Sequence, residues 1–179
     1  RIRAGGGTNI TDALFAAAHY LGVAARGRRR AIILISDNNA TTSGFATQSR
    51  TIRRALESEV VIYSVKTPGQ PTPLMLRLPA WVSGSGSVKK ITRETGGEII
   101  DVERVGSLQA ALAAVVTRLK TRYTLGYNST NKARDGGFRA IQVHLVDQYG
   151  RAGRDYRVAH RRGYYAPDTR VAAQTPDNR

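Results

Sequence analysis

Two short apolar runs constrain the fold of this chain more than any other feature of its sequence. AIILIS at 31–36 and VVIYSV at 60–65 are rich in branched residues, too short for helices and apolar on both faces. Such runs are typical of parallel strands buried between two layers of helices. The polar loop SDNNATTSG and a helical stretch from about Gln48 to Leu56 separate them. This order of strand, loop, helix and strand predicts an α/β fold with a mainly parallel sheet.

Helical periodicity predicts three further helices around these strands. Residues 9–26 and 107–122 place apolar side chains at spacings of three and four, and Ser107 is a residue type that caps helix N-termini. A shorter helix at about 88–95 is expected to end in a glycine cap at Gly96 and Gly97. The segment EIIDV that follows is predicted to be a third strand of the same sheet.

The period of the sequence changes after residue 121. RYTLGY, FRAIQVHLVD and RDYRVAHR alternate apolar and polar residues, and DGG and YGRAG supply turns between them, as in antiparallel strands half open to solvent. We therefore predict a partial α/β domain at 1–121 and a β-strand extension at 122–167. A proline-punctuated loop is expected to be inserted at 67–87, and a polar, disordered tail is expected at 168–179.

Composition narrows the classes of protein that fit. The 179 residues carry a formal net charge of +15, mostly from arginine, which favours acidic partner proteins, anionic glycans, nucleic acid or anionic membrane surfaces. No apolar run approaches the roughly 20 residues that span a bilayer. With no cysteine, the chain has no disulfides and no thiolate metal ligands. Because it begins at Arg1 without an initiator methionine, we expect a processed or truncated front end.

Motifs for catalysis and for nucleotide binding are absent. There is no GxSxG elbow, no HExxH and no pair of histidines at ligand spacing, so the sequence predicts no enzyme. The triple glycine at 5–7 precedes a helix, as a phosphate cradle would. It lacks the rest of the GxxxxGK[ST] and GxGxxG patterns, which disfavours nucleotide binding.

Thr8 and Asp37 are the candidate metal ligands. Asp37 directly follows a buried strand, where ligand sites of α/β sheets lie, and Thr8 lies where a loop enters a helix. Hydroxyl and carboxylate oxygens suit a hard divalent cation, Mg²⁺, Mn²⁺ or Ca²⁺. Structural roles remain open for both: Thr8 as a helix cap, together with Asn9 and Asp12, and Asp37 as the first residue of a turn.

These pieces resemble the von Willebrand factor A (VWFA) family. GGTNITDAL has Thr8 in the place of the family's metal-site threonine, and ILISDN has Asp37 in the place of the aspartate of its "SDG" motif. RYTLGY, FRAIQV and RRGYYAP resemble the C-terminal part of VWFA-related proteins of Acidobacteria, so that the likeness covers about residues 4–167. The resemblance implies a Rossmann-like three-layer sandwich. It also implies a metal-ion-dependent adhesion site, whose cation accepts a carboxylate from a partner protein.

Two departures from the family pattern shape the expectations. Asn38 replaces a glycine, although asparagine tolerates left-handed backbone. The family's opening strand and DxSxS loop should precede Thr8 and are missing from this chain. Without that strand, the run at 31–36 would present an unpaired apolar edge, so we expect a complementing segment or chain to pair beside it.

The sequence thus predicts a non-enzymatic interaction, adhesion or assembly module that binds an acidic protein through the strand ends. Asn38 and the apolar loop residues Trp81 and Met75 are the predicted partner contacts. The resemblance implies export to the periplasm, the cell surface or the medium of a bacterium. The alternative is a basic scaffold subunit, or an anion- or nucleic-acid-binding protein, that acts through its arginine-rich surface.

Overall fold

The main sheet of the protein has three parallel strands in the order β1 (Arg30–Ser36), β2 (Val60–Lys66), β3 (Ile99–Asp101). The structure is a computed structural model that describes residues 7–42, 44–69, 85–148 and 158–169. The pairing of β1 with β2 starts at Arg30 opposite Val60 and continues to Ser36 opposite Lys66. The predicted mixed α/β class with a parallel sheet is confirmed, and β2 is the central strand.

Three helices cover one face of this sheet: α1 (Ile10–Ala24), α2 (Gln48–Glu57) and α3 (Ser85–Glu94). Their apolar stripes meet the side chains of β2 in the larger core, so the helical periodicity read from the sequence is confirmed. Burying each large aliphatic side chain here contributes about 1.5–3 kcal/mol. The core residues are Ile10, Leu14, Ala18, Ile52, Ala55, Leu56, Val60, Ile62, Val88 and Ile91.

The opposite face carries a short helix, α4 (Val102–Val105), and the longer α5 (Leu108–Lys120). Ala111 and Val115 of α5 pack against the other side of β2 and against Ile100 of β3. The Ser107 hydroxyl accepts a hydrogen bond from the Ala110 backbone N–H at 3.0 Å, which confirms Ser107 as the N-cap of α5. Helices therefore cover the central strand on both faces.

β1 differs from β2 in its burial. The prediction that both runs are buried on both faces is right for β2 and wrong for β1. Ile32 and Leu34 pack against the larger core, but Ile33 and Ile35 are 38% and 51% exposed. The reason is position: β1 is the terminal strand of the sheet, and α5 packs on the other two strands, β2 and β3.

The glycine cap predicted after α3 is present. Gly96 has a left-handed φ of +81° and its N–H donates to Arg93 O, while the Gly97 N–H donates to Thr92 O at 2.9 Å. These two bonds form a Schellman motif, which satisfies carbonyls at the end of the helix. The motif turns the chain directly into β3.

The boundary between the predicted loop and α3 differs from the prediction. The helix begins at Ser85, so the loop expected at 67–87 is too long at its C-terminal end. Trp81, Met75 and the rest of 70–84 lie outside the described residues. Among the described residues, the structure contains no helix with both the length and the apolar character required to cross a membrane.

The C-terminal extension contains a separate two-stranded antiparallel sheet, β4 (Phe138–Ala140) and β5 (Gly163–Tyr165). The strand predicted at 138–147 is thus too long. Of the strand predicted in RDYRVAHR, residues 158–161 form no strand and residues 154–157 lie outside the described residues; β5 lies in the GYY that follows. The DGG turn is confirmed, with Gly136 at φ +68°. The YGRAG turn lies outside the described residues.

The strand predicted at RYTLGY is wrong. Tyr123 and Leu125 are 91% and 78% exposed, and within the described part of the chain no strand lies beside them. Apolar and polar residues do alternate here, but within the described residues no strand pairs with this segment and most of its apolar side chains are exposed. Alternation alone therefore did not establish a strand here.

Aromatic contacts attach the small sheet to the helical layer. Tyr165 packs against the larger core, and the Arg53 guanidinium of α2 lies 4.7 Å from the centre of its ring. The Arg162 N–H donates to Glu94 O at 3.0 Å. The first residues of the predicted disordered tail also make contacts, since Asp168 forms an isolated bridge with Asp135. The remainder of that tail, 170–179, lies outside the described residues.

Candidate cation and partner-binding rim

The carboxyl ends of the parallel strands form one edge of the sheet, where the candidate site lies. Ser36 ends β1, Lys66 ends β2 and Asp101 ends β3, and the three are in register across the sheet. The segment before α1 and the loops after β1 and β2 meet there. We call this region, made of residues 7–9, 37–42 and 67–69, the rim.

Backbone hydrogen bonds join the segment that carries Thr8 to the loop that follows β1. The Thr8 N–H donates to the Thr41 hydroxyl at 2.7 Å, and Thr8 O accepts from the N–H groups of Thr41 and Thr42 at 2.9 and 3.2 Å. The structure therefore brings Thr8 and the loop containing Asp37 to the same edge of the sheet, as the sequence predicted. The packing is close, since a Cβ at Gly7 would overlap Thr42.

Asn9, and not Thr8, caps α1. The Asn9 side-chain oxygen accepts from the Asp12 N–H at 3.1 Å, and its amide donates to the Asp12 carboxylate at 2.8 Å. This reciprocal pair confirms the capping-box-like reading of Asn9 and Asp12. Within the described residues the Thr8 hydroxyl has no hydrogen-bond partner, and Thr8 is exposed. Because Asn9 caps the helix, the Thr8 hydroxyl is available to a ligand.

Asp12 has a second role that the sequence analysis missed. Its carboxylate accepts hydrogen bonds from the backbone N–H groups of Ala46 at 2.7 Å and Phe45 at 3.3 Å. One carboxylate thus connects the start of α1 to the end of the loop between β1 and α2. No local sequence signal indicates such a contact, because the partners are more than thirty residues away along the chain.

Asp37 starts the turn after β1. Its Oδ1 accepts from the Asn39 N–H at 3.0 Å, and its Oδ2 accepts from the Asn39 side-chain amide at 3.2 Å. Gly69, from the loop after β2, approaches the same carboxylate, since a Cβ built there would lie 3.5 Å from Oδ2. The turn role weighed from the sequence is therefore present. The Ser36 hydroxyl also donates to Oδ1, at 3.4 Å, so a lone pair remains on Oδ2, which accepts a single described bond.

The Lys66–Asp101 pair distinguishes Asp37 from the neighbouring strand-end carboxylate. Lys66 Nζ lies 3.2 Å from Asp101 Oδ2, and this hydrogen bond holds the pKa of Asp101 below its ordinary value. Within the described chain Asp37 makes no ion pair. Of the two carboxylates at these strand ends, Asp101 is paired with a lysine, and Asp37 is not paired with any described basic side chain.

Asn38 is buried, and its side chain shapes the turn. It has a left-handed φ of +64° and is 3% exposed, and its side-chain oxygen accepts from the buried Ser64 hydroxyl of β2 at 3.0 Å. The expectation that Asn38 tolerates a left-handed backbone is confirmed. The described role of the Asn38 side chain is to accept the hydrogen bond from Ser64. A contact between Asn38 and a partner stays a prediction.

Replacing Asn38 by alanine is expected to destabilise the protein by about 2 kcal/mol. The left-handed backbone costs a residue other than glycine or asparagine roughly 1 kcal/mol, and the Ser64 hydroxyl loses its partner in a buried position. Asn38→Gly also loses the hydrogen bond from Ser64 but adds no backbone strain, so it is expected to destabilise the protein by about half as much. Urea denaturation of the two variants tests this, and equal losses would contradict the left-handed strain.

The donors at the rim suit a hard cation but form a sparse set. Asp37 supplies a carboxylate, Thr8 supplies an unpartnered hydroxyl, and Ser36 and Thr41 add hydroxyls nearby. The described residues contain no group of three or more His, Cys, Asp or Glu side chains placed to hold a metal ion. Since affinity for such cations rises with the number of charged ligands, these described donors by themselves would hold one weakly.

Comparisons with known proteins found no matching family model, no similar curated protein and no similar solved structure. What the fold defines is a class of architecture: a mixed α/β protein with a three-stranded parallel sheet and a separate two-stranded antiparallel sheet. Function must therefore be argued from the rim itself.

Proposed function

We propose that the protein is a non-enzymatic interaction module of the VWFA type, exported from a bacterial cell, that binds an acidic partner protein at the rim. The finer fold in this proposal is the Rossmann-like three-layer sandwich of that family, without its opening strand. A divalent cation held by Thr8 and Asp37 would link the module to a carboxylate of the partner.

One observation carries the proposal. The Thr8 segment is hydrogen-bonded to the loop after β1, while the Thr8 hydroxyl itself has no partner within the described residues. A threonine that served only to cap α1 would use its side chain on the helix, and here Asn9 performs that task. The Asp37 charge at the same edge is not offset by a described basic side chain. Together they favour a site for a positively charged ligand.

The chemistry proposed for the site follows from these donors. Thr8 would coordinate the cation through its hydroxyl oxygen, and Asp37 would act from the outer shell, often through a water molecule. A partner carboxylate would supply a second negative ligand beside Asp37 of the described rim. A segment or chain that completes the site would raise the affinity further, and Trp81 and Met75 stay predicted apolar contacts with the partner.

Binding of an immobilised polyglutamate peptide, measured with Mn²⁺ and then with a chelator, tests this proposal. We expect binding that disappears with the chelator at a moderate salt concentration, which screens the non-specific attraction between polyglutamate and the +15 chain. Binding that survives the chelator would contradict a cation-dependent site.

A basic surface at the opposite edge of the sheet supports a second candidate, an anion- or nucleic-acid-binding protein. Arg26, Arg28 and Arg29 are exposed in the loop before β1, and Arg30 is held by Ala25 O, Ser58 O and Glu59. Arg161 approaches the same Glu59 at 3.9 Å. Near the amino ends of the strands, these arginines therefore outnumber the single acidic residue Glu59. A single-stranded oligonucleotide whose affinity falls steeply with salt, and is unchanged by chelator, would favour this candidate.

A further inference from the structure

A small cavity lies beside the antiparallel sheet, and neither proposed function uses it. Its volume is about 240 Å³, and its lining residues are Leu125, Gly126, Tyr127, Arg161 and Tyr164. The walls come from two parts of the chain, the segment RYTLGY and the residues around the start of β5. Because RYTLGY forms no strand within the described residues, its aromatic side chains are not committed to packing across a sheet.

The two tyrosines of the cavity are joined to each other and keep ring surface available. Their ring centres are 6.4 Å apart and their planes meet at 74°, which is an edge-to-face contact. Hydrogen bonds with Ser129 and with Tyr127 lower the pKa of Tyr164, and the bond with Tyr164 raises the pKa of Tyr127. Tyr127 is nevertheless 60% exposed. A ring anchored at its hydroxyl and open on its surface can stack on a second planar ring with little loss of side-chain freedom.

Arg161 connects this cavity to the basic surface at the amino ends of the strands. It lines the cavity, and its side chain is 41% exposed. It lies 3.9 Å from Glu59, which Arg30 approaches from 4.0 Å, so one carboxylate faces two guanidinium groups. Arg28 and Arg29 are exposed in the loop that leads to Arg30. The aromatic cavity therefore borders a surface of net positive charge.

We infer that the cavity holds one base of a single-stranded nucleic acid, stacked on Tyr127, while Arg161 binds an adjacent phosphate. Proteins that bind single strands combine a positively charged surface with aromatic side chains on which bases stack. A duplex presents base edges and not base faces, and polyglutamate has no planar ring, so both fit the tyrosine pair less well. The inference rests on the second candidate function, to which it adds a defined site.

Binding of a short oligothymidylate, compared with an abasic strand of the same length, tests the inference. The two strands carry the same phosphates, and only the first carries bases. We expect Tyr127→Ala to raise the dissociation constant of the oligothymidylate about tenfold and to leave that of the abasic strand unchanged. Tyr127→Phe keeps the ring, so its affinity for the oligothymidylate is expected to stay within about twofold of the original.

Phe45→Ala is the matched aromatic control. Phe45 is also 60% exposed, but it lies in the loop before α2, where its N–H donates to Asp12 at the start of α1. We expect this variant to bind both strands as the original protein does.

A pair of arginine variants tests the phosphate contact. Arg161→Gln is expected to weaken binding of both strands and to reduce the salt dependence by about one phosphate contact. Arg104→Gln removes the same charge from an exposed position on α4, after the carboxyl end of β3, and is expected to leave that salt dependence unchanged.

The outcomes separate a failure of the cavity from a failure of the second candidate function. If neither strand binds, both are wrong. Salt-dependent binding with equal affinity for the two strands, or binding that Tyr127→Ala does not weaken, would retain the basic surface and overturn the cavity as a base site. If Tyr127→Ala weakens binding of polyglutamate and not of oligothymidylate, the cavity recognises an acidic peptide, which would overturn the inference equally.

Discussion

Replacing Asp37 by asparagine is expected to weaken Mn²⁺ binding at least about tenfold, because the rim holds a single carboxylate that no described basic side chain offsets. Asparagine has nearly the same shape and keeps an oxygen that can accept the Asn39 N–H bond, so the turn after β1 is expected to survive. The variant therefore removes the charge and the bond from the Asn39 side-chain amide, and it retains the bond from the Asn39 backbone N–H. Calorimetric titration of Mn²⁺ into both proteins measures the difference.

Asp135→Asn is the matched control for that experiment. It removes one negative charge from the turn before β4, where Asp135 accepts from the Gly137 N–H at 2.9 Å and pairs with Arg139. The net charge of the two variants is the same. Equal Mn²⁺ affinity in both would show that Asp37 has only its turn role and would remove the support for a cation at the rim.

Gly97→Ala is expected to produce the largest loss of stability, about 3 kcal/mol in the free energy of unfolding. Gly97 is buried against the backbone of the central strand β2. A Cβ at this position would overlap the backbone carbonyl of Ile62. Relief would require β2 or the Schellman motif at the end of α3 to shift. Both are fixed by hydrogen bonds, including the Gly97 N–H bond to Thr92 O.

Gly126→Ala provides the comparison for Gly97→Ala. Gly126 is exposed and has no left-handed φ, and a Cβ added to it would have no described atom within 4 Å. Its replacement is therefore expected to change stability by less than about 0.5 kcal/mol. Denaturant titrations with equal midpoints for the two variants would contradict the close approach of α3 to β2.

The elements that could be predicted are those whose sequence signal and environment agree. β2 is apolar at nearly every position and is covered on both faces, so a buried strand was the right prediction. α1 has a helical stripe that meets the core, and α3 ends at a glycine pair whose first member needs a left-handed φ. In each case the local pattern and the tertiary contacts favour the same structure.

The sequence was least informative where the environment decides. AIILIS and VVIYSV have the same apolar character, and only the position of β1 at the end of the sheet leaves Ile33 and Ile35 exposed. RYTLGY has the alternation of a strand without a described neighbour to pair with. Composition and periodicity do not show which strands are neighbours. The exposure of Ile33 and Ile35 and the absence of a described strand at RYTLGY could therefore not be derived from them.

The candidate site was predicted in part for the same reason. Strand order and the position of a helix start bring Thr8 and the Asp37 loop to one edge, which topology alone implies. The links that hold that edge, from Asp12 to Ala46 and from Asn38 to Ser64, join residues distant in the sequence. Single polar residues in loops do not indicate such partners.

The most direct test of the central claim is Mn²⁺ titration followed in the amide NMR spectrum of the protein, because a bound paramagnetic ion broadens the signals nearest to it. If Thr8 and Asp37 hold the cation, the amides of residues 8–9, 37–42, 67 and 69 are expected to disappear first, at Mn²⁺ concentrations on the order of millimolar. Broadening that begins elsewhere on the molecule, or leaves the rim unaffected, would contradict the account.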